Sequence, residues 1–194
     1  MSKQIFVFAL SAIFLTLSFA SEAQQPTKIP RIGYLGFGEP SIIPARIEAF
    51  RQGLRELGYV EGKSIIIEWR HAEGNAGRLP ALAAELLRLK VEIIVTNGPY
   101  STRAAKKATV TIPIVMASVG DPVGEGIVAS LARPGGNITG LSSLAPELSG
   151  KRLEILKEVV PKASRVAIFG TSTQPGYAQV LREIELAAEV LEVK

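Results

Sequence analysis

The sequence predicts an α/β protein with a largely parallel β-sheet. Short apolar segments alternate along the chain with amphipathic segments of about ten residues, which is the pattern of repeated βαβ units. Two of the short segments, Ile93–Val95 and Ile114–Met116, are continuously apolar. Strands of a parallel sheet have this character because helices cover both of their faces. We therefore expect a doubly wound sheet over about residues 29–142.

The individual elements of this first unit follow from the spacing of apolar residues. Ile47, Phe50 and Leu54 lie at helical spacing, on one face of a helix that stops at Gly58. The predicted strands are Arg31–Gly36, Ser64–Trp69, Glu92–Thr96, Ile112–Met116 and Ile138–Leu141, and the predicted helices are Ile47–Leu57, Leu79–Leu89, Thr102–Ala108 and Val123–Leu131.

A second α/β unit begins after the first one. Its predicted elements are a helix over Lys151–Val160, a strand over Arg165–Phe169 and a helix over Tyr177–Leu191. One strand and one helix cannot close a sheet or bury both of its faces. We therefore expect a first lobe over residues 31–145 and the incomplete start of a second, similar lobe over 146–194. The chain is expected to be truncated or to need a partner.

The first 23 residues have the layout of a secretory signal peptide. Lys3 precedes the apolar run Ile5–Phe19, and the small residues Ser21 and Ala23 flank a cleavage point. This run is short for a membrane span, although an uncleaved anchor stays an alternative. Residues 24–30 form a mature N-terminal tail. Because the chain contains no Cys, no lipid can be attached, and we expect a periplasmic protein with no stable membrane insertion after cleavage.

The composition excludes several classes of function. A net charge of +4, with basic and acidic residues interspersed, gives no basic stripe, so nucleic acid is not an expected partner. The lack of Cys excludes a disulfide framework and any thiolate metal site. The order of Gly33, Gly36 and Gly38 does not fit a dinucleotide-binding motif. No nucleophile, base and orienting group can be assembled, so we expect neither a cofactor nor an enzyme.

The candidate site is a ligand-binding one, formed by the loops that follow the strands. In an open α/β sheet, ligands bind beyond the carboxyl ends of the strands, where backbone N–H groups at helix N-termini suit a small anion. The loops there combine glycines with hydroxyl, amide and aromatic side chains. The predicted ligand-binding residues are Phe37, Gly38, Ser41, Asn97, Gly98, Tyr100, Ser101, Asp121, Thr171 and Ser172.

Some of these residues also have a purely structural interpretation. Asp121, the only Asp in the chain, either caps a helix that begins at Pro122 or pairs with a ligand ammonium group, and it can do both. Asn97 suits a turn as well as a ligand contact. The only His, His71, is interpreted as a surface turn residue, because a lone His without partners is seldom a ligand.

Several motifs in one order resemble a known family. They are Ile32–Leu35, Phe50–Tyr59, Gly62–Ile65, Gly120–Val123, Leu131–Gly140 and Lys151–Glu154. These stretches resemble the ABC transporter substrate-binding proteins of the tryptophan/tyrosine-binding (TrpX-like) kind. The resemblance implies a periplasmic binding protein type I fold, in which two Rossmann-like lobes close on a small ligand. It also implies an inner-membrane ABC permease with its ATPase as partner. Because the family is much longer, weak or no ligand binding is expected of this chain by itself.

Three functional hypotheses follow. The first is the periplasmic solute-binding component of an ABC importer, which binds a small amino-acid-like ligand, with an aromatic one among the candidates, in a cleft between two lobes. The alternative is the extracytoplasmic ligand-sensing domain of a signalling protein, because the same lobes are used to detect ligands. An exported enzyme ranks last because the chain offers no catalytic set.

Overall fold

The structure, a computed structural model, describes residues 28–144, 146, 148–170 and 176–194. The predicted signal peptide and most of the predicted tail lie outside these residues. The strands are β1 (Arg31–Gly36), β2 (Ile66–His71), β3 (Ile93–Asn97), β4 (Ile114–Val119) and β5 (Ile138–Ser142). The α-helices are α1 (Pro44–Glu56), α2 (Leu79–Arg88), α3 (Pro99–Ala108), α4 (Leu148–Val159) and α5 (Tyr177–Leu191). Short 3₁₀ turns occupy Pro40–Ile42 and Ala76–Arg78.

The five strands form one parallel sheet in the order β2-β1-β3-β4-β5. The strand order reverses at β1, which lies between β2 and β3, as in a doubly wound sheet. The predicted α/β fold class is therefore confirmed. Because all the strands point the same way, the loops that follow them meet at one edge of the sheet.

Apolar side chains cover both faces of this sheet. On one face Leu35, Ile94 and Ile114 pack with Leu86 of α2 in the larger core cluster. Gly33 lets α2 approach closely, since a Cβ there would lie 2.9 Å from Leu86 Cδ1. The opposite face carries a second cluster centred on β1, β2 and β3, against which α1 packs. This two-sided burial accounts for the continuously apolar strands in the sequence.

The predicted helix over Val123–Leu131 is wrong, because this segment forms a series of turns. Two glycines weaken it as a helix, and one of them, Gly126, has a φ of 66°. Side chains of α3 then bind its backbone. Lys106 Nζ donates to the carbonyls of Gly126 and Ile127 at 2.9 Å each, and Arg103 Nη2 donates to the Glu125 carbonyl at 3.1 Å. The carbonyls therefore find partners without helical hydrogen bonds.

The predicted strand over Arg165–Phe169 does not form a strand in the structure. A strand is defined by its pairing, and two backbone hydrogen bonds join this segment to the last residue of the chain. Val166 N–H donates to the Lys194 carbonyl at 2.7 Å, and Lys194 N–H donates to the Ser164 carbonyl at 2.9 Å. This is the bonding pattern of a single parallel bridge. The two helices on either side, α4 and α5, agree with the prediction and pack against each other.

Candidate ligand-binding site

Three strand ends lie side by side at the carboxyl edge of the sheet. Gly36 of β1 pairs with Asn97 of β3, and Asn97 pairs in turn with Ser118 of β4. The Gly98 N–H also donates to the Ser118 carbonyl at 3.0 Å, which fixes the end of β3 to its neighbour. The loops after these three strands carry most of the predicted ligand-binding residues, and the parallel sheet brings them together.

The loop after β1 is held by the residues that follow β2. The carbonyls of Gly36 and Phe37 accept hydrogen bonds from the N–H groups of Ala72 and Gly74, at 3.0 and 2.8 Å. The Gly38 carbonyl is 3.1 Å from His71 Nδ1. A carbonyl only accepts, so Nδ1 is the protonated nitrogen of this imidazole. His71 is therefore the half-buried last residue of β2 with a defined partner, which corrects its interpretation as a surface turn residue.

Ser41 lies further along the same loop and is exposed. Its hydroxyl donates to Glu39 Oε2 at 3.1 Å within the 3₁₀ turn. A ligand contact by this hydroxyl would have to compete with a local hydrogen bond.

A glycine forms the sharp junction between β3 and α3. Gly98 is the N-cap residue with a φ of 86°, a left-handed conformation that other residues adopt at a cost, and Pro99 follows at the first helical position. Thr102 Oγ1 donates to the Gly98 carbonyl at 2.8 Å and is 2.8 Å from Thr96 Oγ1. Because the single Thr102 proton is used on Gly98, Thr96 must donate to Thr102. These two buried hydroxyls fasten the helix start to the strand end.

Ser101 lies one residue before Thr102 and is also fully buried. Its hydroxyl is the one buried side-chain polar atom in the described part of the chain that has no hydrogen-bond partner. An unpaired buried hydroxyl costs free energy, so it lowers the stability of α3 in this conformation. A ligand cannot reach Ser101 here without a rearrangement of its surroundings.

An aromatic pair lies over these loops. Phe37 stacks on Tyr100, with ring centroids 4.7 Å apart and an interplanar angle of 27°. Both residues are half-buried, so each ring keeps an accessible part. Stacked rings of this kind offer a planar apolar surface to another ring.

Beneath the strand ends lies a second group of rings. Tyr34 is buried between Phe50, Trp69 and His71, with centroid distances of 5.9, 4.8 and 5.6 Å. Burial raises the pKa of the Tyr34 hydroxyl, and a hydrogen bond with the Asn97 side chain opposes that rise. Tyr34 therefore stays neutral at physiological pH and lies next to a predicted ligand-binding amide.

Asp121 follows β4 and shapes the third loop. Its Oδ1 accepts hydrogen bonds from the N–H groups of Val123 and Gly124, at 3.2 and 2.9 Å. The carboxylate thus caps a turn and not the start of a helix, because the predicted helix is absent. Asp121 is half-buried, and its other carboxylate oxygen lies beside Gly124.

A second carboxyl group, which the sequence analysis missed, lies in the same loop. The side chain of Glu125 is 4% exposed, and its Oε2 is 3.4 Å from Arg103 Nη2 of α3. Its Oε1 lies close to the N-cap residue of α5, 3.4 Å from where a Cβ on Gly176 would be. Burial raises the pKa of Glu125, the Arg103 guanidinium opposes this, and the Asp121 carboxylate adds to it.

These loops border a cavity of about 230 Å³, here called the cleft cavity. Pro99, Gly120 and Glu125 line it from the side of the strand ends, and Phe169, Tyr177 and Val180 line it from the start of α5 and the segment before it. A larger hollow of about 360 Å³ lies beside α5, next to Leu153, Val166 and Ile184. Residues that follow the strand ends, Pro99 and Gly120, line the cleft cavity and not that hollow, so the cleft cavity is the better candidate site.

The predicted site residues thus fall into three groups. Phe37, Gly38, Asn97, Gly98, Tyr100 and Asp121 come together at the strand ends. Ser41 lies in the same loop but bonds locally, and Ser101 is buried. Thr171 and Ser172 lie outside the described residues. Sequence reasoning missed His71 and Glu125, because their roles depend on partners 33 and 22 residues away in the chain.

Two further features bear on function. In the ranges that the structure describes, no group of three or more His, Cys, Asp or Glu side chains could hold a metal ion. Among the same residues, no helix combines the length and the apolar character needed to cross a membrane.

The chain is similar to proteins of known class. Residues 39–194 match a family described as ABC transporter substrate binding protein. A tyrosine-binding protein of Clostridioides difficile is 34% identical over 142 residues, which are 73% of this chain and 40% of that protein. These matches confirm the resemblance to substrate-binding proteins of the TrpX-like kind.

Solved structures share the fold. A conserved domain protein from Vibrio cholerae has a TM-score of 0.79 at 28% identity, with coverage of 86% of this chain and 56% of that one. The ABC domain from Streptococcus pneumonia in complex with L-Trp has a TM-score of 0.76 at 24% identity, with coverage of 85% and 55%. The open, ligand-free structure of an adhesive substrate binding protein from Clostridium difficile has a TM-score of 0.66 at 25% identity, with coverage of 86% and 56%.

The chain therefore spans 40% of the curated relative and about 55% of these solved relatives. The parallel sheet, the loops gathered at its carboxyl edge and the family match over most of the sequence agree with one another. The chain belongs to the ABC transporter substrate-binding protein family.

Proposed function

We propose that this chain is the ligand-binding part of an exported ABC importer component and that it binds a small aromatic amino acid in the cleft cavity. The observation that carries the proposal is the stacked Phe37–Tyr100 pair at the strand ends, where Tyr100 directly follows Pro99, which lines this cavity. The proposed division into lobes is 31–145 and 146–194, with the cavity between them. The permease and ATPase, and a periplasmic location set by residues 1–23, belong to the same proposal.

Apolar and aromatic side chains support an aromatic ligand. Phe169 and Tyr177 line the cavity, and Phe37 and Tyr100, which do not line it, present a planar surface at the neighbouring strand ends. Ligand pockets in proteins combine such apolar walls with a few polar groups that fix orientation. The volume of about 230 Å³ lies below the usual range for drug-sized ligands, which suits a single amino acid.

Polar groups at the strand ends support the amino-acid backbone as the second recognition element. The N-terminus of α3 after Gly98 offers a positive dipole end that favours a carboxylate. Asp121, a half-buried acidic group in the loop after β4, favours an ammonium group, whereas Glu125 is buried beside Arg103. The name of the Clostridioides difficile relative, a tyrosine-binding protein, fits this combination.

Calorimetry with L-tyrosine, L-tryptophan and L-alanine tests the proposal. We expect weak but measurable binding heat with the two aromatic amino acids, because this chain spans only part of its relatives' length, and none with alanine. Phe37→Leu and Tyr100→Leu should each weaken binding about tenfold, since a stacking contact stabilises by roughly 0.5–1.5 kcal/mol beyond its buried area. Tyr59→Leu is the matched control, because Tyr59 is an exposed ring after α1. Equal heats for alanine and tyrosine, or equal losses in the control, would contradict the proposal.

A further inference from the structure

We propose that His71 is a positioning residue that holds the Phe37–Ser41 loop in the shape that presents the aromatic pair to the ligand. The inference rests on the proposed function, because this loop matters for binding only if the cleft cavity holds the ligand. It assigns a role to the only His of the chain, which touches neither the cavity nor the ligand surface.

The first step is the hydrogen bond from His71 Nδ1 to the Gly38 carbonyl at 3.1 Å. Together with the bonds from Ala72 N–H and Gly74 N–H, it means that the three consecutive carbonyls of residues 36–38 are bound by three residues, His71, Ala72 and Gly74. Two of these bonds come from the backbone and would form with any residue at position 71. The third depends on the imidazole.

The second step is the space that β1 leaves for this ring. Gly36 and His71 are direct neighbours in the β1–β2 register. A Cβ on Gly36 would lie 2.6 Å from His71 Nδ1 and 3.0 Å from its Cε1, closer than side-chain carbons come to such atoms. The absence of a side chain at position 36 is therefore what allows the imidazole to reach Gly38.

The third step is the packing that fixes the ring. His71 stacks on Trp69 at an interplanar angle of 8°, and its centroid is 5.6 Å from that of the buried Tyr34. The ring is held on one side by these aromatic groups and on the other by Gly36. A ring with so little freedom loses little entropy when it binds Gly38, so its hydrogen bond can hold the loop.

The fourth step links the loop to the aromatic pair. Phe37 lies between the two carbonyls at Gly36 and Gly38, and its ring stacks on Tyr100 of α3. The Phe37 carbonyl stays bound to Gly74 N–H when Gly38 is released, so the release frees the segment that follows Phe37. The Phe37 ring then loses one of the restraints on its position relative to Tyr100, although the sheet and α3 stay intact.

Two conservative substitutions at position 71 distinguish this role from simple packing. In Asn the Nδ2 atom is bonded to Cγ, as Nδ1 is in His, so His71→Asn keeps a donor near the Gly38 carbonyl. In Gln the amide lies one bond further out, so His71→Gln keeps the polarity and loses the placement. Gly36→Ala provides an independent route, because its methyl group displaces the ring. Gly53→Ala in α1 is the control glycine, with nothing within 4 Å of the added methyl group.

NMR contacts between the Phe37 and Tyr100 rings, measured without ligand, give the direct readout, and calorimetry with L-tyrosine gives the second. We expect His71→Gln and Gly36→Ala to lose the ring contacts and to weaken tyrosine binding about tenfold. His71→Asn should retain the ring contacts, and Gly53→Ala should match the unmodified chain. If His71→Gln does not fold, Gly36→Ala decides the test.

Ring contacts that survive in both His71→Gln and Gly36→Ala would overturn the inference. Equal losses for His71→Asn and His71→Gln would also overturn it, because they would assign the effect to ring packing. If the unmodified chain binds neither tyrosine nor tryptophan while the ring contacts follow the expected pattern, the proposed function fails and the positioning role of His71 is supported.

Discussion

At the scale of single residues, two neighbouring buried hydroxyls at the start of α3 differ in whether they have hydrogen-bond partners. Thr102 donates to the Gly98 carbonyl and accepts from Thr96, whereas Ser101 has no partner. Both side chains are fully buried. Residue type does not distinguish the two, since each could be a helix cap or a ligand contact in the sequence. The difference arises from which one faces the end of β3.

This pair gives a matched stability prediction. Thr102→Val keeps the shape and removes the hydroxyl, so the buried Thr96 hydroxyl loses its acceptor while the half-buried Gly98 carbonyl keeps the backbone N–H of residue 102, at a cost of about 1–3 kcal/mol in the free energy of unfolding. Ser101→Ala removes an unpaired polar group and should leave the stability unchanged or slightly higher. Urea unfolding of both variants measures this. A Ser101→Ala loss as large as that of Thr102→Val would contradict the assignment of partners.

Asp121 gives a second prediction at this scale. Asp121→Ala should lower the unfolding free energy by about 1 kcal/mol, because the N–H groups of Val123 and Gly124 lose their acceptor. Asp121→Asn keeps an acceptor and should restore most of that stability. If Asp121 also contacts the ligand ammonium, Asn should still bind tyrosine more weakly than Asp. Equal stability for all three chains would show that the turn does not depend on this side chain.

At the scale of elements, the helical and strand periods predicted most of the structure and failed at two segments for physical reasons. Apolar spacing identified the sheet strands and α1, α2, α3, α4 and α5 to within a few residues. Val123–Leu131 has apolar residues at helical spacing, yet its glycines and the donors from α3 favour turns. Arg165–Phe169 has the composition of a strand, but its backbone hydrogen bonding to a neighbouring segment is limited to the contact with Lys194. Both failures depend on neighbours that are distant in sequence.

The contact between the Glu125 loop, α3 and the start of α5 gives a pH prediction. Burial raises the pKa of Glu125 in the folded chain, so the folded state holds its proton more tightly than the unfolded state does. The stability that this adds is present below the unfolded pKa of about 4.5 and is lost as the pH rises through the higher folded pKa. Glu125→Gln removes this titration.

Thermal unfolding between about pH 4 and pH 7 measures the effect. The stability of the unmodified chain, relative to that of Glu125→Gln, should be highest at the acidic end of this pH range and should fall towards neutral pH. Glu154→Gln is the matched control, because the Glu154 side chain is exposed. A difference between the chain and Glu125→Gln that does not vary with pH would contradict a buried, titrating Glu125.

At the scale of the whole molecule, the parallel sheet determines where ligand chemistry can occur. The rule that ligands bind at the carboxyl ends of the strands pointed to the loops after β1, β3 and β4, and the strand register places Gly36, Asn97 and Ser118 side by side. The positioning contact of His71 and the burial of Ser101 could not be predicted, since both depend on the packing of one element against another. The apolar periodicity of the sequence also does not determine the second lobe or the ligand.

The central claim is that an aromatic amino acid binds at these strand ends, and backbone amide shifts on titration with L-tyrosine test it most directly. We predict saturable changes at Gly38, Asn97, Gly98, Gly120 and Tyr177, with none at the hollow beside α5 and none on titration with L-alanine. Changes confined to Leu153, Val166 and Ile184, or identical responses to tyrosine and alanine, would contradict the account.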